Sequence, residues 1–141
     1  MEPYIDFASR HPYLTMALLV VVAMLAYSYL APLFRPWKTV TPLEATRLIN
    51  REDAVLLDVR EDNEYRGGHI VNSVHIPLGV LDKRLDELEK YKDRPIIVAC
   101  RTGNRSAAAC TRLSKAGFGQ VYNLGGGVLA WENANLPLRR T

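Results

Sequence analysis

The most prominent feature of the hydropathy pattern is an uncharged apolar segment near the N-terminus. From Leu14 to Phe34 the sequence reads LTMALLVVVAMLAYSYLAPLF, without Asp, Glu, Lys or Arg. About 20 apolar residues are enough for a helix to cross the hydrocarbon core of a bilayer. A soluble domain formed by the rest of this chain could hardly enclose a helix that is apolar on every side. The pattern therefore predicts a short tail over residues 1–13 and a transmembrane helix over residues 14–34.

The residues around this segment favour a retained anchor over a cleaved signal peptide. The preceding sequence MEPYIDFASRHPY is not strongly basic and the apolar run is long, although Ala26 and Ser28 leave a conceivable cleavage site. Basic residues follow the span, at Arg35, Lys38, Arg47 and Arg51. Because basic flanks stay in the cytoplasm, we expect a single-pass protein of the cytoplasmic (inner) membrane. Its N-terminus would lie outside, its remaining domain would face the cytoplasm, and the helix would contact membrane lipid.

After a linker over residues 35–38, strand-like and helix-like patterns alternate along residues 39–141. Four short apolar runs rich in branched residues predict strands: AVLLDV, SVHIPL, PIIVAC and QVYNL. Three amphipathic or capped stretches predict helices: TPLEATRLIN, LDKRLDELEKY and SAAACTRLSKAG. This alternation predicts an α/β fold, a parallel sheet with helices on both faces and a site at the carboxyl ends of its strands.

A run of three glycines, GGG at residues 125–127, follows the last predicted strand. A dinucleotide-binding loop would instead follow the first strand and have a different glycine spacing. We therefore expect a close turn that leads into a short helix, VLAWENA, with Trp131 packed on the sheet.

Composition and charge narrow the classes of function. With 48% hydrophobic and 23% charged residues, the 141-residue chain is typical of one globular domain beside the apolar segment. The net charge of +3 is mild, and basic and acidic residues are mixed, so we expect no nucleic-acid partner. Two cysteines are few for a secreted, disulfide-stabilised domain, which favours free thiols in a reducing compartment. No His and Cys cluster has metal-ligand spacing, so we also expect no metal.

Both cysteines lie in one segment, CRTGNRSAAAC, in which Cys100 ends a predicted strand and a polar loop leads into a predicted helix. Backbone N–H groups at a helix start lack partners within the helix and together form an anion-binding site. A thiolate is such an anion, so the loop would lower the pKa of Cys100 and generate its reactive form. Cys110 lies about three helical turns further on, too far for a disulfide within one helix, and is interpreted as a core residue.

Four segments resemble, in order and spacing, the rhodanese family of sulfurtransferases: LLDVRE, EYRGGHIVNSVHIPL, CRTGNRS and NLGGGVLAWENANLPL. The similarity covers about residues 38 to 139, and the layout is similar to that of bacterial membrane-anchored single-domain rhodaneses. The resemblance implies a rhodanese-like fold in which Cys100 is the catalytic nucleophile. It would take a sulfane sulfur from a small donor such as thiosulfate and pass it to a thiol or protein acceptor that the sequence does not identify. It implies no cofactor, because the sulfur is carried as a persulfide on Cys100.

The resemblance also implies roles for the residues near Cys100. The substrate-binding loop would comprise Arg101, Thr102, Gly103, Asn104, Arg105 and Ser106. The two arginines are expected to bind an anionic donor through forked guanidinium contacts. Asp58 and Arg60 are expected to support the loop rather than touch substrate. His69 and His75 are expected to pack or form hydrogen bonds, because a thiolate activated by its loop needs no base.

Two alternative functions stay open at this point. Cysteine phosphatases and arsenate reductases place an arginine after a cysteine and five intervening residues, where this chain has Ser106. The arginine of this chain, Arg105, comes one residue earlier, so its loop is one residue shorter than that of a cysteine phosphatase. A phosphatase or arsenate reductase is therefore less favoured. The second alternative is a rhodanese-like module that binds a protein at the membrane without catalysis. That alternative predicts that Cys100→Ser leaves the cellular role intact.

Overall fold

A computed structural model of the protein describes residues 1–140. The chain forms two compact units, of which the first is Met1–Arg35 and the second begins at Pro36. The first unit is helical, with α1 at Glu2–Arg10, α2 at Pro12–Leu30 and a 3₁₀ turn at Ala31–Phe34.

The helix α2 contains most of the apolar segment. Pro12–Phe34 is a candidate membrane span of 23 residues with a mean hydropathy of 2.1, and no residue of α2 is buried. A helix that is apolar on all sides and has no buried residue is suited to a lipid environment. The predicted span over residues 14–34 lies within it. The short tail predicted over residues 1–13 contains α1, a helix that the sequence interpretation did not include.

The second unit contains a parallel sheet. Within the described residues, the strands of this unit are β1 at Lys38–Val40, β2 at Val55–Asp58, β3 at His69–Ile70, β4 at Val74–His75, β5 at Ile96–Ala99, β6 at Val121–Leu124 and β7 at Leu138–Arg139. The order β1-β6-β5-β2-β4 forms one sheet in which every neighbouring pair is parallel. The strands β3 and β7 form a separate antiparallel pair. The predicted parallel α/β architecture is confirmed.

Helices cover both faces of this sheet, as predicted. They are α3 at Pro42–Glu52, α4 at Asp62–Arg66, α5 at Asn104–Lys115 and α6 at Gly127–Asn133, with 3₁₀ segments at Leu78–Val80 and Leu85–Tyr91. Successive strand residues point to opposite faces. In β2, Leu57 packs in the cluster that includes α5, whereas Leu56 packs in the cluster that includes α3 and α6. Both clusters exclude water, so the central strands are buried on both sides.

The segment LDKRLDELEKY differs from its prediction as an α-helix. The chain forms turns over residues 81–84 and then the 3₁₀ segment Leu85–Tyr91, with i→i+3 bonds such as Arg84 N–H to the Leu81 carbonyl, 3.1 Å. The three-residue spacing of Leu85 and Leu88 fits the 3.0 residues per turn of a 3₁₀ helix. The leucines still reach the core, so the hydrophobic pattern was right and the helix type was wrong.

The strand predicted at SVHIPL is also shorter than expected. Only Val74 and His75 belong to β4, which pairs with the end of β2. Pro77 has no N–H to donate to a ladder, so the strand cannot continue through it. Because the sheet is parallel, the carboxyl ends of β2, β5 and β6 meet at one edge, and the polar residues there form the site described next.

Candidate active site

Cys100 lies directly after β5, at the start of a loop that ends in the helix α5. Its side chain is buried, and the N–H of Gly103 donates a hydrogen bond to its Sγ atom, 3.0 Å away. The Ser106 hydroxyl lies 3.4 Å from the same sulfur. Gly103 precedes the first residue of α5 and has φ +111°, a conformation that favours glycine. The loop therefore curls around the sulfur, as the sequence predicts.

Opposing effects act on the pKa of the Cys100 thiol. Burial raises this pKa, because a charged thiolate loses contact with water. Hydrogen bonds from the Ser106 side chain and from the N–H groups of Ser106, Gly103 and Thr102 lower it. The net effect lowers the pKa below the ordinary value of a thiol. The loop thus favours the thiolate, which is the nucleophilic form of cysteine.

Asn123 on β6 holds the loop in place. Its side-chain N–H donates to the Gly103 carbonyl, 3.2 Å away, and its side-chain carbonyl accepts a hydrogen bond from the Ser106 hydroxyl. These contacts fix the side-chain amide orientation of Asn123 and tie the loop to the neighbouring strand. The sequence interpretation missed Asn123. A polar residue inside the apolar strand QVYNL is the signal that could have identified it, because a buried amide needs hydrogen-bond partners.

The start of α6 contacts the other side of the loop. The N–H groups of Val128 and Leu129 donate to the carbonyls of Cys100 and Arg101, at 2.8 Å and 3.2 Å. Gly127 has φ +62°, and a Cβ atom there would overlap the Cys100 carbonyl oxygen and lie 2.5 Å from that of Arg101. The turn predicted at GGG is present, and it brings α6 into backbone contact with the loop.

Arg105 forms an ion pair that the sequence interpretation did not include. Its Nη1 and Nη2 atoms donate to the Oε1 and Oε2 atoms of Glu64, at 2.7 Å and 2.9 Å. The hydrogen bond from Arg105 lowers the pKa of the Glu64 carboxyl to about 2, although burial opposes this. Glu64 also accepts a bond from the Glu61 N–H at the start of α4. Glu64 begins the segment EYRGGH, which is part of the family resemblance.

Asp58 and Arg60, the expected supporting residues, are buried and bind each other. The Asp58 carboxylate accepts hydrogen bonds from the Arg60 backbone N–H and from its guanidinium, at 2.8–3.0 Å. Arg60 also donates to the Gly68 carbonyl, 2.8 Å away. Such bidentate, charge-assisted contacts hold the end of β2 against the segment after α4. Among residues 1–140, the side-chain hydrogen bonds of Asp58 are to Arg60 and not to the Cys100 loop.

The other predicted loop residues face solvent. Arg101, Thr102 and Asn104 are exposed, and Asn104 is the first residue of α5. Arg101 lines a cavity of about 230 Å³ together with residues of α4, α6 and β7. This cavity lies beside the loop and is open to solvent.

His69 and His75 do not face the sulfur. Both imidazole rings stack on the Tyr65 ring, with centroids 3.9 Å and 4.1 Å away. His69 is hydrogen-bonded to the Tyr65 carbonyl and His75 to the Arg60 carbonyl. These contacts agree with packing and hydrogen-bonding roles.

Cys110 is a free thiol on the buried face of α5 and packs in the core. Burial raises its pKa to about 12, so it is unreactive at neutral pH. Its position agrees with its interpretation as a core residue. Within residues 1–140, no group of three or more His, Cys, Asp or Glu residues is placed to hold a metal ion.

Comparisons with known proteins agree with this geometry. The model of the rhodanese-like domain matches residues 41–134. A protein of Escherichia coli K12 named YibN, itself uncharacterized, is 39% identical over 99% of both chains. The thiosulfate sulfurtransferase GlpE of Pseudoalteromonas translucida is 35% identical, covering 70% of this chain and 91% of its own. The crystal structure of a rhodanese-related protein from Thermoplasma volcanium has a TM-score of 0.67 and 32% identity, covering 74% of this chain and 99% of its own. The chain belongs to the rhodanese family.

Proposed function

We propose that the protein is a membrane-anchored sulfurtransferase that carries a sulfane sulfur as a persulfide on Cys100. The observation that supports this most directly is the loop around Cys100, in which backbone N–H groups and Ser106 stabilise a thiolate. Relatives named as sulfurtransferases support this activity at the level of the family.

The proposed reaction consists of two displacements. The Cys100 thiolate attacks the outer sulfur of thiosulfate, the S–S bond of the donor breaks, and sulfite leaves with the electron pair. The product is a persulfide anion on Cys100. An acceptor nucleophile then attacks the terminal sulfur and restores the thiolate. The total charge of the reactants equals that of the products in each step. Neither step needs an external oxidant, a reductant or a cofactor. A covalent intermediate divides one difficult transfer into two easier ones.

The loop is suited to both anions of this cycle. The N–H groups of Thr102, Gly103 and Ser106 act on the Cys100 sulfur. Backbone N–H groups that converge at a helix start can also hold the terminal sulfur of a persulfide, as they hold phosphate in other proteins. Arg101 is exposed beside the loop and would bind the sulfonate oxygens of the donor.

Turnover of the full chain in detergent tests this proposal. Thiosulfate and cyanide are supplied, and thiocyanate and sulfite are measured for the wild type, Cys100→Ser and Cys110→Ser. We expect turnover in the wild type and in Cys110→Ser, because Cys110 is a buried core thiol. We expect none in Cys100→Ser. A folded wild type without turnover with any sulfane donor would favour the protein-binding module instead.

The anchor is the second part of the proposal. An uncharged helix with no buried residue and basic residues after it supports a single pass with the N-terminus outside the cytoplasmic membrane. Fractionation and protease treatment of bacterial spheroplasts test this. We expect the protein in the membrane fraction after alkaline extraction, with the catalytic domain protected until the cells are lysed. Soluble protein shortened by cleavage after Ser28 would indicate a signal peptide.

A further inference from the structure

The ion pair between Arg105 and Glu64 lowers the net positive charge near the Cys100 loop, where a sulfur donor would bind. Both terminal nitrogens of Arg105 are engaged by the two carboxylate oxygens of Glu64. Each partner stabilises the charged form of the other, since the pKa of Glu64 falls to about 2 and that of Arg105 rises. The pair is therefore charged but neutral in sum throughout the physiological pH range. Arg105 adds no net positive charge beside the loop.

The positive and negative charges that line the adjacent cavity also cancel. Two arginines, Arg60 and Arg101, and two glutamates, Glu64 and Glu132, contribute to its lining. Arg60 is in addition already paired with Asp58. A site built to select a small dianion would instead have an excess of positive charge, because Coulomb attraction grows with the charge of the ligand.

The cavity also offers space and apolar surface. Its volume of about 230 Å³ is far above the roughly 10–15 Å³ that a single water molecule requires. Its apolar lining comes from α6 and β7, through Val128, Leu129 and Leu138. An inorganic oxyanion gains nothing from apolar walls, whereas an organic substituent on the donor would bury its surface against them.

We propose that the preferred donor is a monoanionic organic sulfane compound, and that Glu64 is the residue that disfavours dianionic thiosulfate by neutralising Arg105. This inference rests on the proposed sulfurtransferase function. With an organic thiosulfonate, the Cys100 thiolate attacks the outer sulfur and the donor S–S bond breaks. A sulfinate leaves with the electron pair, and the persulfide anion forms on Cys100.

Two donors with the same reacting group test this inference. Thiosulfate is a dianion and benzenethiosulfonate is a monoanion with an apolar substituent. We would measure kcat/KM for both with the full chain in detergent, with excess cyanide as acceptor, for the wild type and Glu64→Gln. The side-chain oxygen of the glutamine can still accept from Arg105 Nη1 and from the Glu61 N–H, whereas the bond from Arg105 Nη2 is lost.

The expected result is a change in donor preference. Loss of the Glu64 charge strengthens the attraction between the site and an anionic donor in proportion to the charge of the donor. The logarithm of the gain in kcat/KM is therefore twice as large for thiosulfate as for benzenethiosulfonate. We expect the ratio of thiosulfate to benzenethiosulfonate activity to rise about fivefold. A purely structural role of Glu64 would change both activities by one factor. Glu87→Gln is the matched control, because Glu87 forms a similar two-point pair with Arg84 and does not line the cavity.

An unchanged ratio in folded Glu64→Gln would overturn the inference. If that variant does not fold, the salt dependence of the wild type decides the matter. We expect thiosulfate kcat/KM to change little between low and high ionic strength, because the site is neutral, and a steep fall would contradict the inference. If neither donor forms a persulfide in the wild type, the proposed function itself fails and the inference fails with it.

Discussion

The contact between α6 and the Cys100 loop predicts a large effect of Gly127→Ala. Gly127 has a positive φ of +62°, and its Cα faces the backbone of Cys100 and Arg101. An added methyl group would meet backbone atoms there, which cannot rotate away as a flexible side chain can. The loop and α6 must therefore move apart, which weakens the hydrogen bonds from Val128 and Leu129.

The magnitude follows from three contributions. Placing alanine in the left-handed region costs about 1–2 kcal/mol. Two weakened backbone hydrogen bonds cost about 1 kcal/mol each. The reduced freedom of the unfolded chain returns about 0.5–1 kcal/mol. The free energy of unfolding should therefore fall by about 3 kcal/mol, which corresponds to a decrease in Tm of roughly 12 °C for a domain of this size.

Two other glycines separate the contributions in a thermal unfolding assay of the full chain in detergent. Gly117 also has a positive φ, +97°, but an added methyl would approach only the flexible end of Lys92. Gly117→Ala should therefore show the conformational cost less the same unfolded-state contribution, a net loss of about 1 kcal/mol. Gly119 has no atom within 4 Å of an added methyl and no positive φ, so Gly119→Ala should raise stability by about 0.5–1 kcal/mol.

The order of the three variants decides the matter. We expect the Tm to be highest in Gly119→Ala, lower in Gly117→Ala and lowest in Gly127→Ala. Sulfur transfer should also slow in Gly127→Ala, because the Cys100 carbonyl is displaced. If Gly127→Ala melts within about 2 °C of Gly117→Ala, the close backbone approach of α6 to the loop is refuted.

Three further predictions concern the thiols and the buried ion pair. Ser106→Ala removes a hydrogen bond to the Cys100 sulfur and raises its pKa, so the pH midpoint of alkylation by iodoacetamide should move upward; an unchanged midpoint would show that Ser106 does not stabilise the thiolate. Asp58→Ala leaves the Arg60 charge buried without its partner and should cost about 3–5 kcal/mol by thermal unfolding, against little loss if water screens the pair. Cys110, with a pKa of about 12, should alkylate at least about a hundredfold more slowly than Cys100 at pH 8, measured by mass in the two single-cysteine variants.

The sequence predicted those parts of the fold that local patterns encode. The strands β2, β5 and β6 follow from short apolar runs, and α5 follows from its composition and terminal glycine. The Cys100 loop was predictable because its residues are adjacent in the chain. A loop that enters a helix presents its N–H groups to one point whatever surrounds it.

Contacts between distant residues were not predictable in this way. Arg105 and Glu64 are 41 positions apart, and Asn123 and Gly103 are 20 apart. Only the sheet order brings these pairs together, and a period of 2 or 3.6 residues does not encode that order. An arginine beside an anion-binding loop therefore looks available to a substrate until its partner on α4 is known.

Very short elements were missed for another reason. The strands β3 and β7 contain two residues each and α4 contains five, which is too few for an amphipathic pattern to repeat. The 3₁₀ segment Leu85–Tyr91 keeps its leucines on the inner side, so hydrophobicity alone could not distinguish it from an α-helix.

The most direct test of the central claim is the intact mass of the full chain after treatment with a sulfane donor and removal of the excess. Wild type, Cys110→Ala and Cys100→Ala would be compared under non-reducing conditions. A persulfide on Cys100 predicts a gain of one sulfur atom, about 32 Da, in the first two proteins and no gain in Cys100→Ala. A gain that persists in Cys100→Ala, or no gain in any folded protein, would contradict the proposal that Cys100 carries the sulfur.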